Sequence, residues 1–307
     1  MKNCYKYKEI WAATFLLVIL VWLVLAPGQK KVIAITPLLV TIALIELLYI
    51  YKLINLKRKN KKCRAPSDIV IIVWLVFIIW ELCTTKLAIA HPVLVPNPED
   101  VFNVFATQYR ELLLNVAYSL EILLIGFFSG LSAGVILGIV AGRIQRLREF
   151  SFPIANVLTP IPAVVFSPYL VAIMPNFRSA SVVVIILGIF WPTFLNMMIR
   201  VNSIDQRIED SARVLNVKNS TMMWKIVLPY VFPGVVSGLK VSLTTSLLML
   251  NFAEMLGATH GMGYYIQNNN VFANYTNVIA GIILEGIVVT LLNSIISWGQ
   301  GRAVKWR

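Results

Sequence analysis

Residues 203–229 read SIDQRIEDSARVLNVKNSTMMWKIVLP, the one long polar segment in the C-terminal half of an otherwise apolar chain. The segment has the pattern of a short amphipathic helix with its own start and stop. Ser203 is placed to cap the first turn, and Gln206, three residues on, completes a capping box. Ile204, Ile208, Ser211, Ala212 and Leu215 recur at helical spacing on one face, with Asp205, Arg207, Glu209 and Arg213 on the others. Ser211 and Ala212 are small, so another surface can approach that helix closely. The helix is expected to stop at Asn216, because Asn tolerates left-handed backbone better than any residue except Gly. A second short helix is expected over 220–228, with Pro229 opening a new apolar span.

Around this segment the chain is built for lipid. Of its 307 residues 58% are hydrophobic and only 13% charged, a balance that a water-soluble domain cannot keep off its surface. The net charge of +13, from 27 basic and 14 acidic residues, would suit nucleic acid, but the basic residues gather at the ends of apolar runs. The partner implied is a lipid bilayer and not nucleic acid. Three cysteines, Cys4, Cys63 and Cys83, have neither metal-ligand nor redox spacing and imply no disulfide framework. His91 and His260 have no partner at metal spacing, so neither a metal nor a cofactor is expected.

Eight apolar runs are long enough to be transmembrane candidates: 10–26, 32–54, 69–90, 112–141, 152–174, 179–199, 229–256 and 277–298. The first follows Lys2, Lys6 and Lys8, but no small-residue cleavage site closes it, so it reads as an uncleaved anchor. Lys and Arg set the orientation. With the N-terminus inside, the cytoplasmic side collects the run KRKNKKCR at 57–64, Arg143, Arg146, Arg148, Arg200 and the basic residues of 203–228. Arg302, Lys305 and Arg307 join them, while the outside receives only Lys30, Lys31, Lys86, Arg110 and Arg178. Both termini are thus expected inside. The basic run, followed by Pro66, reads as a headgroup-binding linker. It divides residues 1–65, a pair of spans with that linker, from residues 66–307.

Three spans carry unusual patterns. The fourth has Gly126, Gly130, Gly134, Gly138 and Gly142, a groove along one face where a neighbouring helix can pack backbone to backbone. The fifth has Pro153, Pro160, Pro162, Pro168 and Pro175; each internal proline removes a helix hydrogen bond, so the segment should be buried in protein or line a wet cavity. The seventh ends in LNFAEMLGATHGMGYYIQNN, where Glu254 needs a donor or water at membrane depth and Gly257, Gly261 and Gly263 suggest a tight backbone re-entry. Lys240 is the one clear cation inside a span, against Glu46, Glu121, Glu254 and Glu285, and one of these carboxylates is a plausible partner for it.

Permease subunits of binding-protein-dependent ABC importers carry a loop with the pattern E-A-A, three residues, G, nine residues, I-x-L-P. This chain resembles it with Asp210-Ser211-Ala212, Asn216 and Ile226-Val227-Leu228-Pro229, both gaps being the right length. Asp stands for Glu, Ser for Ala and Asn for Gly, each keeping charge, size or turn-forming ability. The block Ala253–Ala258 with Gly261-Met262-Gly263-Tyr264 is similar to the nitrate, sulfonate and taurine subgroup, as are Gly238-Leu239-Lys240 and the proline-rich stretch 91–100. The resemblance covers about 67–307 and leaves the first pair of spans outside it.

What the resemblance implies is an all-α polytopic membrane protein, a six-helix type I importer core plus two extra N-terminal transmembrane helices. Residues 66–307 would form the permease domain, with a cytoplasmic coupling loop at 203–228 that docks on an ABC ATPase subunit. An extracytoplasmic solute-binding protein would deliver a small polar or anionic solute, and the permease would act as a homodimer. Its translocation path would be lined by Pro160, Pro162, Pro168, Lys240, Asn251 and Glu254. The chain lacks the G-x-x-x-x-G-K-[ST] phosphate loop, so ATP hydrolysis belongs to a separate subunit. The competing reading is an ion-coupled secondary transporter, but such proteins show internal repeats and paired broken helices, and only one span here is heavily broken. A membrane scaffold would leave the loop spacing unexplained.

Overall fold

The computed structural model describes residues 6–58, 64–91 and 93–303, and these are helical with no strand among them. Cys4, Cys63, Asn60, most of the basic run at 57–64, and Lys305 and Arg307 lie outside the described residues. Two compact units divide the chain: one made from residues within Met1–Leu112 and Asn268–Ile282, the other from residues within Leu113–Gln267 and Ile283–Arg307.

The first unit begins with α1 (Lys6–Leu25) and α2 (Thr36–Arg58), followed by α3 (Arg64–Glu81) and α4 (Pro98–Thr107). α1 packs along α3, and α2 packs on α4 and α3. Ala13, Leu20 and Val24 of α1 and Trp74 of α3 are buried, while Trp11, Phe15 and Trp22 point outward, as lipid permits. The Tyr49 and Ser67 hydroxyls share a hydrogen bond at 2.9 Å, tying α2 to α3. α3 widens into a π turn, Leu82–Lys86, that carries Thr85 between two buried carboxylates. Its hydroxyl lies 3.3 Å from Glu81 and 3.1 Å from Glu99, and the Lys86 ammonium sits 3.2 Å from Glu81. Of the stretch 91–100, residues 93–97 are irregular, with Asn97 the cap of α4, and the last three residues are helical.

The second unit takes α5 (Tyr109–Arg143) from Leu113 onward, then α6 (Gln145–Leu158), a 3-10 turn at Ala163–Phe166, α7 (Ser167–Ile173) and α8 (Phe177–Asn202). The short α9 (Gln206–Val214) and α10 (Asn219–Met222) lead through a π turn, Met223–Val227, into α11 (Leu228–Gly257). α12 (Met262–Val271) and α13 (Tyr275–Ala303) complete the order, with Gln267 ending and Ile283 resuming the unit. Ile122, Leu123, Phe127, Ile185, Ile189, Leu247 and Leu250 form its central apolar cluster.

The glycine groove of α5 holds α8. A methyl group at Gly126 would sit 2.7 Å from Ile185 Cβ, at Gly130 3.1 Å from the Ile186 backbone, and at Gly134 2.9 Å from Thr193 Cβ. At Gly138 it would meet both Met197 Cβ and the Phe194 carbonyl at 2.7 Å, and at Gly142 Val201 Cβ at 2.8 Å. Five successive turns therefore depend on the missing side chain for the close approach that packs helices in lipid.

Each of the eight expected apolar runs falls on a helix or helix pair. Among the described residues seven single helices are long and apolar enough to cross a membrane, among them Tyr109–Arg143, whose 35 residues rise about 52 Å at 1.5 Å each, well beyond the hydrocarbon core. The run 152–174 is broken, as its prolines suggest: Gln145–Leu158 and Ala163–Ile173 meet at 82°. Pro160 and Pro162 sit in the break, where a helix would need donors they lack, and Pro168 enters the first turn of α7, where a missing N–H is tolerated.

Candidate functional site

The loop from Ser203 to Pro229 is built much as its residues dictate, with three differences. Ser203 does not cap α9; its hydroxyl donates to the Arg200 carbonyl at 2.9 Å and so closes α8, which runs on to Asn202. Asp205 takes the capping role instead, its Oδ1 accepting the Arg207 N–H at 2.9 Å. The helix then ends as expected: Asn216 has φ of 49°, and the Val217 N–H reaches back to the Ala212 carbonyl at 3.0 Å, the six-to-one bond of a left-handed helix end.

The second difference is the facing of the helix. Ile204 and Ala212 are buried in the chain's own cluster with Ile139, Met197, Val201, Met222, Val227 and Val231. Leu215, placed by spacing on the same face as Ile204 and Ala212, is 75% exposed because α9 has already ended at Val214. The outward surface thus carries Val214, Leu215 and Trp224, three large apolar side chains on a polar loop, beside Asp210 and Ser211. Third, the second helix does not stop at Leu228 but continues into α11. The ring of Pro229 would clash with the Lys225 carbonyl in an unbroken α-helix, and the π turn over Met223–Val227, where the Leu228 N–H bonds the Met223 carbonyl, opens the backbone there. Ile226 and Leu228 pack against the same cluster as Ala212, while Pro229 is exposed.

A second arrangement closes the far end of α11. Glu254 is 1% exposed, and its carboxylate accepts the Ser119 hydroxyl at 2.6 Å and the Gly263 N–H at 2.8 Å. Ser119 in turn accepts the Met262 N–H at 2.8 Å, and Asn115 accepts the Gly261 N–H at the same distance. Three consecutive backbone donors of the re-entrant turn are satisfied by side chains on α5 and α11. Gly261 has φ of 127°, and a side chain there would collide with the Glu254 carboxylate; at Gly263 it would come within 2.6 Å of the Asn251 carbonyl. Asn251 donates its amide to Glu285 on α13. Of the remaining residues expected on a path, Pro160, Pro162, Pro168 and Lys240 are exposed in the protomer, and among the described residues no carboxylate pairs with Lys240. Glu121 pairs instead with Arg178. The sequence marked Arg200 only as a cytoplasmic charge and did not join it to Asn196 and Thr193; their signal was a polar i, i+3, i+7 face at the end of an apolar span.

Among the described residues, membrane-length helices with an interposed polar loop and a tight turn after α11, and no strand, define a polytopic membrane protein. Residues 134–306, more than half of the chain, match the family described as binding-protein-dependent transport system inner membrane component, and the chain belongs to that family. The nitrate import permease protein NrtB of Leptolyngbya laminosa is 29% identical over 232 residues, 74% of this chain and 83% of that protein. The taurine transport system permease protein TauC of Escherichia coli is 26% identical over 74% of this chain and 84% of its own. A Bacillus subtilis protein named for aliphatic sulfonate transport, SsuC, is 26% identical over 75% of this chain and 83% of its own. In fold, the chain resembles an inward-facing structure of the MetNI methionine ABC transporter, with a TM-score of 0.51 at 20% identity over 64% of this chain and 94% of that one.

Proposed function

We propose that this protein is the membrane-spanning subunit of an ABC importer for a small polar or anionic solute of the nitrate, sulfonate or taurine class. A separate extracytoplasmic binding protein would deliver the solute and a separate ATPase would drive its passage, with two copies of the permease forming the path across the plasma membrane. The observation that carries the reading is the loop at 203–229. Asp210, Ser211, Ala212, Asn216, Ile226, Leu228 and Pro229 fall at the spacing of a coupling loop, and the loop presents exposed Val214, Leu215 and Trp224 to a partner. Ala212, Ile226 and Leu228 hold the loop to its own core, and the outward residues make the contact. ATP-driven closure of the ATPase subunits would move α9 and exchange inward-facing for outward-facing states.

The path is proposed along the exposed Pro160, Pro162, Pro168 and Lys240, with Asn251 and Glu254 behind them fixing the re-entrant turn. Both termini and the loop lie inside, following the distribution of Lys and Arg. Residues 1–65 are proposed as an appendage to a permease domain at 66–307, although α1 and α2 pack on α3 and α4. The test is co-purification. Alone the protein hydrolyses no ATP, and it carries its ATPase through purification. Leu215→Asp with Val214→Asp abolishes that association while the variant still inserts in the membrane. Robust hydrolysis by the isolated chain, or undiminished association in the double variant, contradicts the assignment.

A further inference from the structure

One cavity in the second unit plays no part in the loop or the turn. It measures about 190 Å³ and lies between α5, α8 and α11, lined by Thr193, Asn196, Arg200, Ser237 and Ser242 among others. Thr193, Asn196 and Arg200 share one face of α8, and Gly234, Gly238 and Ser242 share one face of α11. No carboxylate lines it. Its polar lining offers the Arg200 guanidinium, the Asn196 amide and the hydroxyls of Thr193 and Ser242; Ser237 is committed to the Gly234 carbonyl at 2.9 Å.

Arg200 is the decisive member. Among the described residues its guanidinium has neither an ion-pair nor a hydrogen-bond partner. It lies flat on the backbone of α11 because residue 234 is glycine; a side chain there would collide with Arg200 Cζ, Nη1 and Nε. Gly238 faces open space and leaves the cavity its room. A guanidinium laid against Gly234 and lining a space with further donors suits a planar or tetrahedral oxyanion, which can accept two parallel hydrogen bonds from the fork. Arg200 is exposed to this space, so an anion can reach its free donors without displacing another charge. The volume equals roughly six water molecules at about 30 Å³ each, enough for one small oxyanion with residual water and too little for a peptide.

We propose that this cavity is an oxyanion-binding site that takes one small anionic head group, a nitrate, sulfonate or phosphate, with Arg200 as its primary ligand and Gly234 as the residue that positions it. Only the step of calling a free anion there the transported solute rests on the importer reading. The alternative source of the same chemistry is the phosphate of an acidic lipid.

The full chain, with its three cysteines replaced by serine and Ser237→Cys as reporter, is placed in nanodiscs of neutral phosphatidylcholine. Ser237 is chosen because its hydroxyl is already occupied by Gly234. The reporter thiol is reacted with a sulfonate-bearing thiosulfonate reagent and with its trimethylammonium analogue. The anionic reagent is expected to react faster. Arg200→Gln should lower the anionic rate roughly tenfold, and Arg200→Lys should keep most of it. Methanesulfonate at tens of millimolar should protect the thiol when Arg200 is present and not in Arg200→Gln, and choline should not protect it. Gly234→Ala, which displaces the guanidinium, should weaken the protection. Protection by methanesulfonate in neutral nanodiscs assigns the site to a free anion; protection only on adding phosphatidylglycerol assigns it to lipid. Equal anionic rates for Arg200 and Arg200→Gln, or protection by choline as strong as by methanesulfonate, overturns the proposal. Labelling requires no transport, so its failure leaves the permease reading standing, and a lack of ATP-driven uptake leaves the site standing.

Discussion

Glu254 is held by Ser119, 135 residues earlier in the chain, and by the Gly263 N–H on its own side of the turn. A carboxylate at membrane depth called for donors, but nothing local in the sequence says that Ser119 and Asn115 supply the companion contacts. Glu254→Ala leaves the Ser119 hydroxyl and the Gly263 N–H without this acceptor, at about 1–3 kcal/mol for each buried group left unpaired. A large fall in thermal stability of the purified protein is the expected outcome, and an unchanged melting temperature would remove Glu254 from the turn. Glu254→Gln keeps an acceptor and should lower uptake more than assembly.

Glu99 gives a pH dependence. Burial pushes its carboxyl up to about 7, with Glu81 nearby adding to the effect against the hydrogen bonds from its own backbone N–H and from Thr85. The raised value means the folded protein holds a proton that the unfolded chain releases near the ordinary carboxylate range. This contribution is therefore fully present below that range and is lost as pH rises through about 7. Thermal stability should fall between pH 5 and 8, and Glu99→Gln should flatten that part of the profile. Other single residues were legible to different degrees. Asn216 showed its left-handed turn by residue type alone, whereas Ser203 misled, because capping α9 and closing α8 use the same hydroxyl.

At the scale of elements, the five glycines identified the packing face of α5 but not α8 as the helix seated on it, since spacing names a groove and not its occupant. Gly138→Ala puts a methyl group 2.7 Å from both Met197 Cβ and the Phe194 carbonyl and forces two helices apart, destabilising by about 1–3 kcal/mol. Gly286→Ala on α13 meets nothing within 4 Å and gains helix propensity, up to about 1 kcal/mol. The two melting temperatures should move in opposite directions; parallel shifts would mean the groove does not set the packing. The prolines at 153–175 announced a broken span, yet the 82° bend was beyond them, because proline removes hydrogen bonds without fixing the direction of the chain that follows. The facing of Leu215 was lost for a similar reason: helical periodicity holds only to the end of a helix, and α9 ends at Val214.

At the scale of the whole molecule, hydropathy located the membrane-length helices among the described residues, because lipid forces a spanning helix to satisfy its backbone within itself and so to be long and apolar. The polar loop stood out against that background, and its spacing led to the family. The Arg200 cavity did not stand out, since its residues come from separate spans and each looks ordinary in its own. The central claim is that ATP, consumed by a separate subunit docked on the 203–229 loop, drives import through this chain. The most direct measurement is uptake of labelled nitrate, taurine and an alkanesulfonate into proteoliposomes holding the permease with its ATPase and binding protein. The account predicts uptake of at least one of them that requires ATP and both partners and is abolished by Val214→Asp with Leu215→Asp. Uptake by the permease alone, driven by a proton or sodium gradient and indifferent to ATP, would contradict it.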